Sequence, residues 1–344
     1  YKVTGVQTCA LPIEVFILVG ISVVMLGDKL NLLFIFGLLF IHGSVKAFYS
    51  PAQQAIIPNI VGEEYVSRAV ALNATIGKIF GTAGPLLAGI LITLVDTYTY
   101  TIAAAFMVVS SLSYSFLPKL KRMKPTGRSL EMVLGGISYV RSNSIVLGAI
   151  ALDLFIVLLG SVMTLLPVYA ADILKVGPEA LGMLRAMPAF GGVIIGLTLA
   201  VLPPMRQNGL CLFIALAVFS ASITVFALST IYWLSLIALF VYGAADMVSV
   251  NIRMTLIQLA TPDHLRGRVS AVNSIFISSS NEMGDVRAGS VAAIFGPVAT
   301  VFAGGMMALG ITVGGWYLFP KLRNLDKLTD ASPDNDLDIQ KEKR

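Results

Sequence analysis

The residues of this sequence with chemical potential are charged groups set inside long apolar runs. Glu282 and Asp285 lie three positions apart, so on a helix they share roughly one face. Two acids in one wet cavity oppose each other's ionisation, which suits a reversible proton site. The competing reading is that Arg287 or another cation neutralises one of them. Asp246 sits in the middle of its apolar segment, with Arg253 seven residues later on the same face. Arg253 is near the segment's end and is expected to snorkel to the surface. Asp246 has no such escape and is a candidate for proton or substrate contact. Asp153 belongs to the same group, and Arg185 is either a gate cation or the partner of Asp153. Lys78 could hold an anionic ligand or pair with an acid elsewhere. Charge at bilayer depth is costly unless it meets a partner or water, so each of these positions is a functional candidate.

The same inventory argues against an enzyme. His42 and His264 are isolated, and the two cysteines, Cys9 and Cys211, belong to no His/Cys cluster. No metal site, disulfide framework or cofactor is expected. The phosphate-binding pattern G-x4-G-K-[ST] is absent from the sequence, which argues against a nucleotide-driven pump. A membrane-embedded enzyme would need clustered acids or an interfacial nucleophile constellation, and the acids here are dispersed.

The elements that must position these groups are set by composition. The chain has 344 residues, of which 56% are hydrophobic and 12% charged. A soluble domain is about 45–50% apolar and about 25% charged. The expected class is therefore an all-α polytopic membrane protein. A span needs about 20 mainly apolar residues, and ten candidates run over 14–27, 31–50, 68–94, 97–117, 144–171, 179–203, 209–228, 231–259, 269–295 and 297–319. Short links such as Ser229-Thr230 and Gly296-Pro297 force antiparallel neighbours. Residues 1–13 show no signal-peptide pattern. The run Val3–Ile13 resembles the translation of a sequencing-library adapter, so 1–13 are read as an artefact. The expected organisation is 14–117 as an N-terminal half, 118–143 as a basic cytoplasmic loop, 144–319 as a C-terminal half and 320–344 as a solvated tail.

Loop charges orient the chain. With the 118–143 side taken as inside, inside loops and the tail hold sixteen Lys and Arg, while outside loops hold Lys29 and Lys175. The net charge of +5 thus reflects topology and not nucleic-acid binding. Trp233, Tyr232 and Trp316 fit interfacial anchoring.

An internal repeat links the halves. Arg68-Ala-Val-Ala-Leu-Asn73 echoes Arg268-Val-Ser-Ala-Val-Asn273, and the same offset matches Gly84 to Gly284 and Gly89 to Gly289. Asn73 and Asn273 are read as helix caps or cross-links. Segments 144–171 and 179–203 have no partner in the first half. The repeat therefore predicts two further helices upstream and a 6+6 plan of twelve.

The motifs carry a resemblance. Gly81-Thr-Ala-Gly84-Pro85-Leu-Leu-Ala-Gly89 is similar to the antiporter motif G-P-x-x-G-G of the major facilitator superfamily, with Ala88 replacing one glycine. Ser50-Pro51-Ala52 with Ile57-Pro58, Gly177-Pro-Glu-Ala-Leu-Gly182, Thr261-Pro-Asp-His-Leu-Arg-Gly-Arg268 and Asn281-Glu-Met-Gly284 resemble the macrolide-efflux and enterobactin-exporter branch. The resemblance implies a secondary-active exporter in the cytoplasmic or inner membrane. It would carry amphipathic small molecules by alternating access, with protons as the coupling partner, as a monomer. The same fold also hosts lipid and lysolipid carriers, which stay open as an alternative. The helix-four arginine of the drug-antiporter pattern has no clear equivalent here, and Lys46 is the nearest cation.

Other candidates have two readings each. Gly77, Gly81, Gly84 and Gly89, with Pro85, are either a hinge or a plain packing surface. The loop residues Asp263, Arg266 and Arg268 are either a latch between helix ends or a positive-inside signal. Phe36, Phe40, Phe48, Tyr49, Phe155 and Tyr242 either line an apolar cavity or meet lipid and core.

The charge asymmetry yields a direct test. A reporter active only in the cytoplasm, fused after Arg344, is expected to be active, and a reporter active only outside is expected to be silent.

Overall fold

In the computed structural model, described for residues 3–27, 32–60, 66–115, 129–201 and 206–331, every regular element is helical. The chain divides into two compact units, Tyr1–Pro125 and Thr126–Arg344.

Unit 1 holds α1 (Val3–Leu26), α2 (Leu32–Ile60), α3 (Val66–Val95) and α4 (Tyr98–Ser115). Helix α1 packs against α2 and α4, and α3 packs more lightly against both of those. The unit's core is small: Ile17, Ile21 and Leu38 are buried, with Met25 and Tyr100 around them. Ser22 and Thr101 join α1 to α4 through a hydroxyl hydrogen bond of 3.3 Å. Helix α1 begins eleven residues before the expected start at Glu14, and Leu11 is buried in it.

Unit 2 holds α5 (Ser129–Ser142), α6 (Ser144–Gly160), the short α7 (Leu166–Val168), α8 (Pro178–Val201), α9 (Asn208–Leu228), α10 (Tyr232–Leu259), α11 (Asp263–Phe295), α12 (Pro297–Leu318) and α13 (Pro320–Arg323). Helix α10 packs on α8 and α9, α12 on α9 and α6, and α11 on α5 and α6. One core runs through them, with Tyr169 tilted against Phe226 at 4.7 Å and Tyr242 stacked on Phe219 at 4.3 Å. The start of α6 is held by Asn143, whose Oδ1 accepts from the N–H groups of Ile145 and Val146 at 3.1 and 3.2 Å. Gly296 joins α11 to α12 at φ +83°, a conformation that favours glycine.

Among the described residues, five stretches are long and apolar enough to cross a membrane: Ser144–Ile173, Pro178–Leu199, Asn208–Leu228, Tyr232–Leu259 and Pro297–Leu318. Four shorter apolar stretches lie at Leu11–Leu26, Leu32–Lys46, Ile79–Val95 and Tyr98–Ser113. Helix α11 carries Glu282, Asp285 and Arg287 and is not among them.

Three expectations need correction. The loop expected over 118–143 contains α5, whose Gly136 lies against the backbone of Arg268 on α11. The rest of that loop, 118–128, lies outside the described residues. The continuous helix expected over 144–171 stops at Gly160; a tight turn, α7 and a wide helical turn at Tyr169–Ile173 follow. The first part of the tail expected to be solvated, 320–331, instead docks: Leu322 and Leu325 are buried, and 332–344 lie outside the described residues. The backbone N–H of Asn208 donates to Asp326 O at 3.1 Å, and that of Gly209 to Leu325 O at 2.9 Å. These N–H groups open α9, so the docked segment satisfies donors that a helix start leaves over.

The α8–α10 crossing depends on glycine. A Cβ on Gly243 would collide with the backbone of Pro188, whereas one on Gly310 of α12 would meet nothing within 4 Å. Gly243→Val is expected to cost about 1–3 kcal/mol by overpacking. Thermal unfolding in detergent should show a lowered Tm for that variant and an unchanged one for Gly310→Ala.

Candidate functional site

Helix α6 ends inside the bundle, and a helix end leaves carbonyls without partners. Helix α11 meets that need. Arg287 Nε donates to Leu158 O at 3.0 Å, and its Nη2 donates to Leu159 O at 2.6 Å. A cation at a helix carboxyl end is also favoured by the helix dipole. Two residues earlier on α11, the Asp285 carboxylate accepts a 2.5 Å hydrogen bond from the Ser161 hydroxyl, just past the break. Gly284 makes the approach possible: a Cβ there would lie 3.1 Å from Val157 O and 3.2 Å from Leu158 O. The role expected for Arg287, neutralising a neighbouring acid, is replaced by this cap. The helix ends there, so its carbonyls compete for the guanidinium.

Two turns before the break, Asp153 is buried and forms an ion pair with Arg253 of α10. One expectation is corrected here, and one of the two alternatives for Arg185 falls. Arg253 does not snorkel, being only 3% exposed. Arg185 is not the partner of Asp153 but lies exposed on α8. With both groups held in a poorly solvated interior, each offsets part of the cost of burying the other, so neither can be removed alone without loss. The Nε of Arg253 is a buried donor with no hydrogen-bond partner among the described residues.

Tyr242 gathers the other acids. Asp246, Asp285 and Asp153 all lie near enough to its hydroxyl to act on it electrostatically. Three acids that the sequence scatters over 132 positions, on α6, α10 and α11, thus share the electrostatic environment of one tyrosine. Asp246 is half-buried on α10, while Glu282 is exposed on α11 and does not share the half-buried environment of Asp285. Such a cluster can hold or release a proton and offer hydrogen bonds to a polar guest. No group of His, Cys, Asp and Glu suited to a metal occurs among the described residues.

The other candidates separate by position. Phe155 is 50% exposed and Phe40 of unit 1 is 77% exposed. A Cβ on Gly77, Gly81 or Gly84 would meet nothing within 4 Å, and Gly89 is buried with Pro85 inside α3. Arg266 Nε donates to Gln258 O of α10 at 3.1 Å, and the Arg268 guanidinium lies beside Gly135 of α5, so both arginines touch neighbouring helices. Asn273 is buried beside Met254. The side chains of Lys78, Asp263, Asn73, Phe48 and Tyr49 lie outside the described residues.

Sequence reading missed one pair. In unit 1, Glu14 on α1 is buried, and its Oε2 lies 2.7 Å from Nδ1 of His42 on α2. Glu14 stands at the edge of the run set aside as an artefact, which hid it. A lone acid in an apolar segment was the available signal.

The ion pair generates a prediction. Arg253→Met leaves Asp153 buried without compensation, at a cost of about 3–5 kcal/mol. The double variant D153L/R253M is expected to recover most of that, as read by thermal unfolding of both variants in detergent.

Comparison with known proteins places this arrangement. A family model described as transmembrane secretion effector matches residues 7–343. The enterobactin exporter EntS of Citrobacter koseri is 24% identical over 317 residues, covering 92% of this chain and 75% of that protein. The Shigella boydii enterobactin exporter EntS aligns with the same identity and coverage. Among solved structures, a D-xylose–proton symporter superposes with a TM-score of 0.66 at 14% identity, over 94% of this chain and 82% of that one. A POT family transporter superposes with a TM-score of 0.66 at 11% identity, over 93% and 82%. With nearly its whole length matched, this chain belongs to the transmembrane secretion effector family, multi-pass membrane transporters of the major facilitator superfamily.

Proposed function

We propose that this transporter is a proton-driven exporter of amphipathic small molecules, with a siderophore of the enterobactin kind as the first substrate class to try. The observation that carries the proton reading is the convergence of Asp153, Asp246 and Asp285 on Tyr242, with Arg253 paired to the deepest acid. Asp285 and Asp246 are the proton-coupling residues in this reading, and Glu14 with His42 is a second titratable pair in unit 1. The buried Nε of Arg253 is a donor for an acceptor group on the substrate. The substrate class rests on the enterobactin exporters that this chain resembles at 24% identity.

In this reading the two halves rock about a midplane site and expose it to each side in turn. The break in α6 is where motion concentrates, because Asp285 holds Ser161 most tightly as a carboxylate. Protonation at Asp285 weakens that hold and frees the turn after Gly160. The carboxyl terminus is cytoplasmic by loop charge, and the working unit is a monomer.

The test is transport in proteoliposomes carrying an imposed pH gradient. Efflux of a catecholate siderophore or an amphipathic dye is expected to follow the gradient and to stop with uncoupler. Asp285→Asn and Asp246→Asn are each expected to lower it about ten-fold, equivalent to about 1.4 kcal/mol. Efflux that survives both uncoupler and the joint neutralisation of Asp246, Asp285 and Glu282 would rule out proton coupling. Transfer of labelled lysolipid in place of dye would favour a lipid carrier.

A further inference from the structure

Helices α9 and α12 carry no charged residue and lie antiparallel, with α12 closely approaching α9 where Gly305 meets Thr224. Towards the start of α9 and the end of α12 an open groove of about 370 Å³ lies between them. Phe213, Ile214, Ala217, Val313, Trp316 and Tyr317 line it. Ile214, Val313 and Tyr317 are exposed although apolar or aromatic. A second space of about 540 Å³ shares Leu210 and Trp316 with the groove, and Gln207, Arg323, Asn324 and Asp326 line its walls. An apolar slot therefore opens into a polar mouth at one end of the same helix pair.

The charge around that mouth is net positive: Arg206, Lys321, Arg323 and Lys327 stand against Asp326 and Asp330. The two acids are oriented by backbone N–H groups, Asp326 Oδ1 accepting from Gln207 N–H at 2.9 Å and Asp330 Oδ2 from Lys327 N–H at 3.0 Å. Arg206, Lys321 and Lys327 are exposed. The Arg323 guanidinium lies 5.1 Å from the centre of the Trp316 ring, and Arg323 forms no ion pair among the described residues. Stacking on an aromatic face pre-orients the guanidinium while leaving its outer N–H groups to bind an oxyanion. The docked segment after α12 holds this arrangement, since it is pinned to the first N–H groups of α9.

We infer that the α9–α12 groove with its Arg323 mouth is a binding site for an anionic glycerophospholipid. One acyl chain lies along Ala217, Val313 and Tyr317, and the phosphate sits against Arg323. The occupant is amphipathic because the slot is apolar and the mouth polar. It is anionic because cations outnumber acids around the mouth and the Arg323 guanidinium there forms no ion pair among the described residues. The basic end faces inside by loop charge, so the lipid belongs to the cytoplasmic leaflet, where juxtamembrane basic clusters attract anionic headgroups. This site is separate from the acid cluster around Tyr242, and it anchors the α9–α12 edge and the segment docked beneath it.

The full chain, purified and incubated with equimolar phosphatidylglycerol and phosphatidylcholine, tests this by native mass spectrometry of retained lipid. Retained phosphatidylglycerol is expected to exceed phosphatidylcholine about five-fold, the preference of roughly one cation near the headgroup. Arg323→Gln should erase most of that preference, while Arg323→Lys should keep it. Val313→Trp fills the slot and should lower retention of both lipids. Arg141→Gln, at an exposed arginine of α5, should change nothing. Equal retention of the two lipids by the unaltered chain would overturn the proposal, as would equal effects of Arg323→Gln and Arg141→Gln. Loss in Arg323→Lys as deep as in Arg323→Gln would assign Arg323 to support of Trp316 and would overturn it too. Variants are compared at matched Tm in phosphatidylcholine alone, so that unfolding is not read as lost binding.

Discussion

A helix that stops inside an apolar bundle leaves carbonyl groups that lipid cannot satisfy, and unit 2 is organised around the place where α6 does so. Arg287 binds two of those carbonyls, and Asp285 holds the first hydroxyl beyond them. Gly284 of α11 and Gly304 of α12 bring their helices against the same turn, because a side chain at either position would strike the α6 backbone. One irregularity thereby recruits a cation, an acid and two glycines from two other helices. The chemistry is concentrated there for the same reason: polar groups at depth survive only where they satisfy one another.

The Asp153–Arg253 pair extends that logic one step deeper. Neither charge is tolerable alone in that position, yet together they tie α6 to α10. Tyr242 then sits among Asp153, Asp246 and Asp285, with its ring stacked on Phe219. The ring of the tyrosine is packed on Phe219, while three carboxylates act electrostatically on its hydroxyl. The α9–α12 edge shows the converse arrangement, an open apolar slot with Arg323 at its end.

Much of this was legible beforehand because bilayer physics writes itself into composition. Long apolar runs marked the helices, and most boundaries fell within a few residues, as at α9, α10 and α12. The candidate acids stood out because any acid in such a run is anomalous. Partners were not legible. Arg253 looked like a snorkelling cation because it lies near a helix end, and only packing showed that α6 brings a carboxylate to it. The break at Gly160 was hidden because its neighbours Ser161, Val162 and Met163 are apolar or small and continue the hydropathy signal. The tail looked solvated because its charges mask Leu322 and Leu325, apolar side chains set singly in a polar stretch with no helical periodicity.

The sequence by itself determined that this chain lives in a membrane, which segments are apolar, which end is basic and which few charges lie at depth. Those follow from side-chain type and spacing, which are local properties. Tertiary structure alone decided which charge meets which. It turned Arg287 into a cap, Arg253 into the partner of Asp153 and three distant acids into one cluster. Pairing depends on how helices cross, and crossing is set by where glycines let backbones approach, which no single segment can specify.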